Sequence, residues 1–261
     1  MCLIAVALRA DIEFPLIVAA NRDEYFDRPA EPARWWEEAA NLLAGRDVQR
    51  GGTWFGVTRA GRIAMVTNFR EPPSGPRAPS SRGELVTEYL RADVAPGAYL
   101  NGLMARRRNY DAFNLLVGDT RGLWYLGHRE PSPRLLGAGV HALSNGEMNA
   151  PWPKVRKARE ALQRALVGRR PGAVAALQQS LLSMLADPEP APETELPNTG
   201  VGPEWERRLS PVFVHADGYG TRCSTVLVVR RDGAASFHER TYGRDGRPAG
   251  DAIHEFRLEA A

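Results

Sequence analysis

The second residue of the chain is a cysteine, and a strand-like apolar run further on ends in Asn21-Arg22-Asp23-Glu24. Removal of Met1 would leave Cys2 with its thiol and a free α-amino group only a few atoms apart. A thiol needs a base to become a good nucleophile, and an amine that titrates near neutrality can be that base. Side chains alternate along an extended segment, so Asn21 and Asp23 share one face while Arg22 points to the other. An amide and a carboxylate side by side can hold an amine, the carboxylate for its charged form and the amide oxygen for its neutral one. Plainer readings stand beside these. A cysteine in an apolar strand fills core space, and Asn-x-Asp also closes an Asx turn with an Arg–Asp pair at the surface.

The elements that must position these residues begin as β structure. Residues 2–8 and 15–21 are apolar runs broken by 9–14, which suggests a hairpin. Residues 41–47 give a third strand, and 53–58 and 63–68 flank Ala60-Gly61 as a second hairpin. After the Pro/Ser/Gly loop at 72–80, Ser81-Arg82-Gly83-Glu84 is a capping box that opens a helix to about Leu90. A second helix is expected over 97–107, strands over 112–118 and 123–127, and two amphipathic helices over 152–166 and 172–185. The Pro/Glu-rich stretch 187–200 reads as a mobile excursion. Strands return at 223–230, 235–242 and 252–258. Strands first, helix pairs in the middle and strands last exclude a doubly wound parallel sheet, which alternates the two. The expected class is α+β, a four-layer αββα sandwich of mostly antiparallel sheets in one domain, residues 1–261.

Composition narrows the partners. The chain has 261 residues, 43% hydrophobic and 25% charged, with a net charge of +3. That balance gives no argument for nucleic acid, because the arginines are scattered rather than clustered. Two cysteines, Cys2 and Cys223, provide neither a disulfide framework nor a zinc spacing, and free thiols fit a reducing compartment. No signal-peptide pattern or membrane-length apolar run is present. The expectation is a cytoplasmic protein that handles a small molecule, with no membrane span and no metal.

Five ordered blocks, MCLIAVAL, AANRDEYFDRP, LLAGRDVQRGGTWFGV, GRIAMVTNFR and SSRGELV, followed by HALSN and GTRCSTV, resemble the NRDE family, also called the transport-and-Golgi-organisation family. The resemblance implies the N-terminal-nucleophile (Ntn) hydrolase fold. More distantly the chain is similar to the choloylglycine-hydrolase and acylase branch of that superfamily, and the carry-over is residue by residue. It implies Cys2 as nucleophile with its own α-amine as proton shuttle, and Asp23 as the group orienting that amine. Asn68 and Asn145 would donate to an oxyanion, and Arg222 would stabilise the thiolate or the Asp23 charge. One departure matters: the branch has an arginine directly before its Asn-x-Asp, where this chain has Ala20. Arg22 is read as facing the wrong way to replace it, which leaves Arg222 or Arg28.

Asn21, Arg22, Arg46, Asp47 and Trp54 complete the candidate set as binding residues; Arg46–Asp47 reads equally as a structural pair. Gly51-Gly52-Thr53-Trp54 is no phosphate loop, since the Lys-Ser/Thr is absent and no helix follows. Two activities remain open. One is an N-terminal cysteine hydrolase for an amide or thioester of a small, partly apolar substrate, needing no cofactor. The other, implied by the resemblance, is a carrier of haem or of an acyl-CoA or lipid. There is no Cys-Pro or Cys-x-x-Cys-His haem signature, so contacts would come from Cys2, His141, His215 or apolar burial.

Overall fold

A computed structural model describes residues 3–72, 75–76, 78–167 and 172–259. Cys2 lies outside the described residues. Strand β1 (Leu3–Leu8) is wholly buried, as a strand covered on both faces must be. It pairs antiparallel with β2 (Leu16–Tyr25), Leu3 opposite Asn21 and Leu8 opposite Leu16. The Asn-Arg-Asp-Glu run therefore sits inside a ten-residue strand rather than at its end.

The next strand was not expected. β3 (Ala30–Trp36) contains Pro32 and forms the edge of the second sheet, the place where a missing N–H leaves no ladder bond unmade. β4 (Ala39–Asp47), β5 (Phe55–Thr58) and β6 (Ile63–Asn68) follow. The expected third strand is thus the fourth. Helix α1 (Arg82–Arg91) opens on the capping box: the Ser81 hydroxyl accepts from the Gly83 N–H, and the Glu84 carboxylate accepts from the Ser81 N–H. α2 (Pro96–Met104) and α3 (Pro153–Leu166) each start on a proline, whose missing N–H is an orphan at that position anyway.

Between them lie β7 (Phe113–Asp119), β8 (Gly122–Gly127), β9 (Arg134–Leu135) and β10 (Gly139–Leu143). α4 (Val174–Leu185), a short α5 (Pro203–Arg208) and β11 (His215–Ala216) precede β12 (Tyr219–Val229), β13 (Ala234–Tyr242) and β14 (Pro248–Arg257).

One sheet runs β10-β1-β2-β12-β13-β14, with β11 on β12, and the other runs β3 to β9 in chain order; the strand pairs are antiparallel. Their facing surfaces share a core that includes Ile4, Val18, Ala20, Trp54, Phe55, Met65, Leu116 and Phe237. α1 and α2 cover the outer face of the β3–β9 sheet through Leu85, Tyr89, Leu100 and Leu103. α3 and α4 cover the other sheet through Ala158, Leu162, Leu177, Leu181 and Leu185 against Leu3, Ile17 and Ala19. The order of layers is αββα, as expected.

The stretch 187–200 contains a short helical turn at Glu193–Glu195. Lys157 pairs with Asp187 and Glu189, and Arg156 pairs with Glu195. No described helix is long and apolar enough to cross a membrane.

Candidate functional site

Alternation along β2 sorts the motif. Ala20 packs in the core between the sheets, whereas Ala19 packs under the helices. Asn21 therefore lies on the helix-facing side and Arg22 faces the gap between the sheets. Contrary to the expectation from sequence, Arg22 points the same way as position 20, because positions 20 and 22 share a face at a period of two.

Asn21 is fully occupied where it lies. Its amide donates to the Leu185 carbonyl at 2.8 Å and the Val212 carbonyl at 2.9 Å, and its oxygen accepts from the Ser224 hydroxyl at 2.6 Å. The Asp23 Oδ1 atom accepts from the Thr221 hydroxyl at 2.7 Å, and both side chains are buried. Asn21 thus ties β2 to the end of α4 rather than facing the gap.

Arg22 opens onto a cleft of about 450 Å³ at one end of the sandwich. Its guanidinium carbon lies 4.2 Å from the Trp54 ring centroid, and Nη2 is 3.9 Å from the Asp47 carboxylate. The residue is only 4% exposed, and its buried Nη1 has no hydrogen-bond partner among the described residues. Trp54 can lie there because position 45 has no side chain; a Cβ on Gly45 would come within 2.4 Å of the indole.

Asp47 organises the floor. Its Oδ2 accepts from Arg28 Nε at 2.8 Å, and its Oδ1 accepts from the N–H groups of Gln49 and Arg50. That turn brings Gly52 against Gly83 at the start of α1, so closely that a Cβ on Gly52 would meet the Gly83 carbonyl carbon at 2.6 Å. Asn68, Ser81 and Arg82 line the same cleft.

The remaining candidates divide. Asn145 donates to the backbone carbonyl of Asn68 at 3.0 Å, so the two asparagines meet at the end of β6, where Asn68 lines the cleft and Asn145 lies behind it. Arg222 sits on a bulge in the β2–β12 ladder; its Nη1 donates to the carbonyls of Tyr25 (2.8 Å) and Arg28 (3.0 Å), and it does not line the cleft. Burial, then the neighbouring Arg22 charge, lower its pKa. Arg46 pairs with Glu38 over Trp36, beneath the helices of the other face.

His141 is held by the Gly137 carbonyl and the Asn149 amide, and His215 by the Arg244 carbonyl. No cluster of three His, Cys, Asp or Glu that could hold a metal occurs among the described residues. Behind Arg22, Cys223 stands opposite it in the ladder. Burial, followed by the nearby Glu239, pushes its thiol well above the ordinary value, which makes it inert.

Sequence reading named Arg22 and Arg28 but missed the rest of the cleft's basic wall, Arg50 and Arg82. The capping box was a usable signal, since it set Arg82 at a helix start. Nothing local told that this start meets the 47–52 turn.

A family model described as Transport and Golgi organisation 2 matches residues 1–244. The chain is 34% identical over 264 residues to the bovine (Bos taurus) Transport and Golgi organization protein 2 homolog, covering 95% of this chain and 94% of that one. It is 33% identical to the human (Homo sapiens) homolog, with 87% of each covered. Among solved structures, a variant of conjugated bile acid hydrolase from Clostridium perfringens is similar at TM-score 0.47 and 8% identity, covering 98% of this chain and 92% of that one.

Proposed function

The chain belongs to the Transport and Golgi organisation 2 family, and from that premise we propose that the cleft is the active site of an N-terminal cysteine hydrolase. Its substrate is an amide or thioester of a small, partly apolar acyl group. The observation that carries the reading is Arg22. A guanidinium 4% exposed, stacked on an indole, sharing its only close carboxylate, Asp47, with Arg28, and with one donor nitrogen unmatched among the described residues, is a costly arrangement unless a further negative charge completes it. Leu3, the sequence neighbour of Cys2, pairs with Asn21, one residue before that arginine.

In this reading Met1 is removed and the Cys2 thiolate attacks the acyl carbon. The C–N or C–S bond of the substrate breaks, and the α-amine delivers the thiol proton to the leaving group. Water, deprotonated by the same amine, then releases the acyl group as a carboxylic acid. Arg22 stabilises the thiolate, Asp23 holds the amine, and Asn68 and Asn145 donate to the oxyanion. Arg222 supports the turn after β2 and acts on the charge through Arg22.

The test is a panel of N-acyl amides and acyl thioesters offered to the wild type, Cys2→Ser and Cys2→Ala. Release that disappears in both variants supports the reading; release that persists in Cys2→Ala refutes it.

The runner-up is a carrier using the same cleft, favoured by the four arginines in its wall, Arg22, Arg28, Arg50 and Arg82. They suit an anionic ligand such as an acyl-CoA, or the propionates of a haem. Saturable binding without turnover, followed by calorimetry for acyl-CoA and in the Soret band for haem, selects this reading.

A further inference from the structure

Arg70 lies two residues beyond Asn68, and its side chain leaves the cleft rather than lining it. Nη2 donates to the Asn145 side-chain oxygen at 3.2 Å, and the Arg70 backbone N–H donates to the Asn145 carbonyl at 2.6 Å. On its other arm, Nη1 meets Glu206 at 2.7 Å, with side chains 8% and 4% exposed. The second Glu206 oxygen accepts from the Thr199 N–H at 2.7 Å and hydroxyl at 2.6 Å. A buried pair like this holds its geometry, because removing one partner strands a charge.

An arginine can only donate, so the atom of Asn145 that faces Arg70 must be oxygen. The –NH2 end is thereby turned toward Asn68, where one proton binds the Asn68 carbonyl. In the hydrolase reading the other proton is the one given to the oxyanion. Without the arginine only the Asn68 carbonyl and the longer Ser144 hydroxyl contact at 3.4 Å would hold the amide, and a rotated amide would present oxygen, which repels an oxyanion.

We infer that Glu206 is a positioning residue that sets the Asn145 amide through Arg70, which makes the segment after residue 187 part of the catalytic apparatus. The inference rests on the hydrolase reading for its consequence, but the orientation of the amide can be read independently. It also explains why a glutamate on a six-residue helix is buried.

Two probes separate the effects in the full chain. p-Nitrophenyl butyrate acylates Cys2 through an oxyanion: sulfur bonds to the acyl carbon and p-nitrophenolate leaves. Iodoacetamide alkylates the same sulfur by displacing iodide, with no oxyanion formed. Loss of an oxyanion donor costs about 10²–10³ in rate, so Glu206→Gln should slow acylation by about tenfold or more and leave alkylation within about twofold. Glu206→Asp, which keeps the charge, should recover much of the acylation rate.

The side-chain amide protons of Asn145, assigned by their loss in Asn145→Asp, should shift and exchange faster in Glu206→Gln. An Asn145 signal indifferent to Glu206→Gln overturns the inference, as does unchanged acylation. A parallel fall of acylation and alkylation also overturns it, because the whole site would then be disturbed. A wild type that resists acylation while its Asn145 signal still depends on Glu206 overturns the hydrolase reading alone.

Discussion

Replacing Asn21 by alanine should damage the fold far more than the chemistry. The side chain is completely buried and makes three short hydrogen bonds, to Leu185, Val212 and Ser224. At about 1 kcal/mol net for each, the direct loss is about 3 kcal/mol, and two carbonyls left unpaired in the interior push the figure upward. For a chain of this size, 3 kcal/mol corresponds to roughly 6–12 °C in melting temperature. Equilibrium urea unfolding followed by circular dichroism measures the change. Below the transition, Cys2 of the variant should still react with iodoacetamide as the wild type does, because Asn21 points to the helix side of β2. Asn21→Asp should be at least as destabilising at neutral pH, since a carboxylate cannot donate to two carbonyls. A loss under about 1 kcal/mol, or a collapse of thiol reactivity with the stability intact, would refute the assignment of Asn21 as a structural tie.

Gly45→Ala should displace Trp54 from beneath Arg22, since the new methyl would stand 2.4 Å from the indole. Overpacking of this kind costs about 1–3 kcal/mol, visible in urea unfolding together with a change in the tryptophan near-UV spectrum. Leu182→Ala, at the fully packed contact of α4 with the sheet, should cost about 2–5 kcal/mol in the same assay without altering the cleft. Burial holds the Glu239 carboxyl above the ordinary carboxylate range, while the Ala33 N–H and the Thr225 hydroxyl pull it down. The folded chain then keeps that proton more tightly than the unfolded one, so the group adds stability at acid pH and withdraws it as pH rises through the folded value. The stability of wild type minus that of Glu239→Gln should therefore fall from about pH 4 upward; a flat or rising difference contradicts the assignment.

The layering was legible because its signals are local. The capping box at Ser81 and the apolar periodicities of α3 and α4 each belong to one segment, and the order of those segments excludes a parallel sheet. β3 was hidden by Pro32, which argues against a strand; only the edge position in the sheet makes the proline harmless. Within the motif, alternation separated Asn21 and Asp23 from Arg22. It did not say which face was the cleft, because that depends on where the helices pack. The roles of Arg46 and Arg222 were equally out of reach. Arg46 is fixed by Glu38 and Trp36 on the far side of its sheet, and Arg222 by a bulge that turns it onto two carbonyls. The Arg70–Glu206 pair joins residues 136 positions apart, a separation for which no spacing rule exists.

The central claim is that Arg22 serves a reactive sulfur at residue 2. Intact-mass and peptide spectrometry of the native protein under limiting iodoacetamide tests it in one sample. The account predicts a chain lacking Met1, modification at Cys2 well before the buried Cys223, and a clear slowing of the Cys2 reaction in Arg22→Gln. A retained Met1, or a Cys2 rate indifferent to Arg22→Gln, would contradict it.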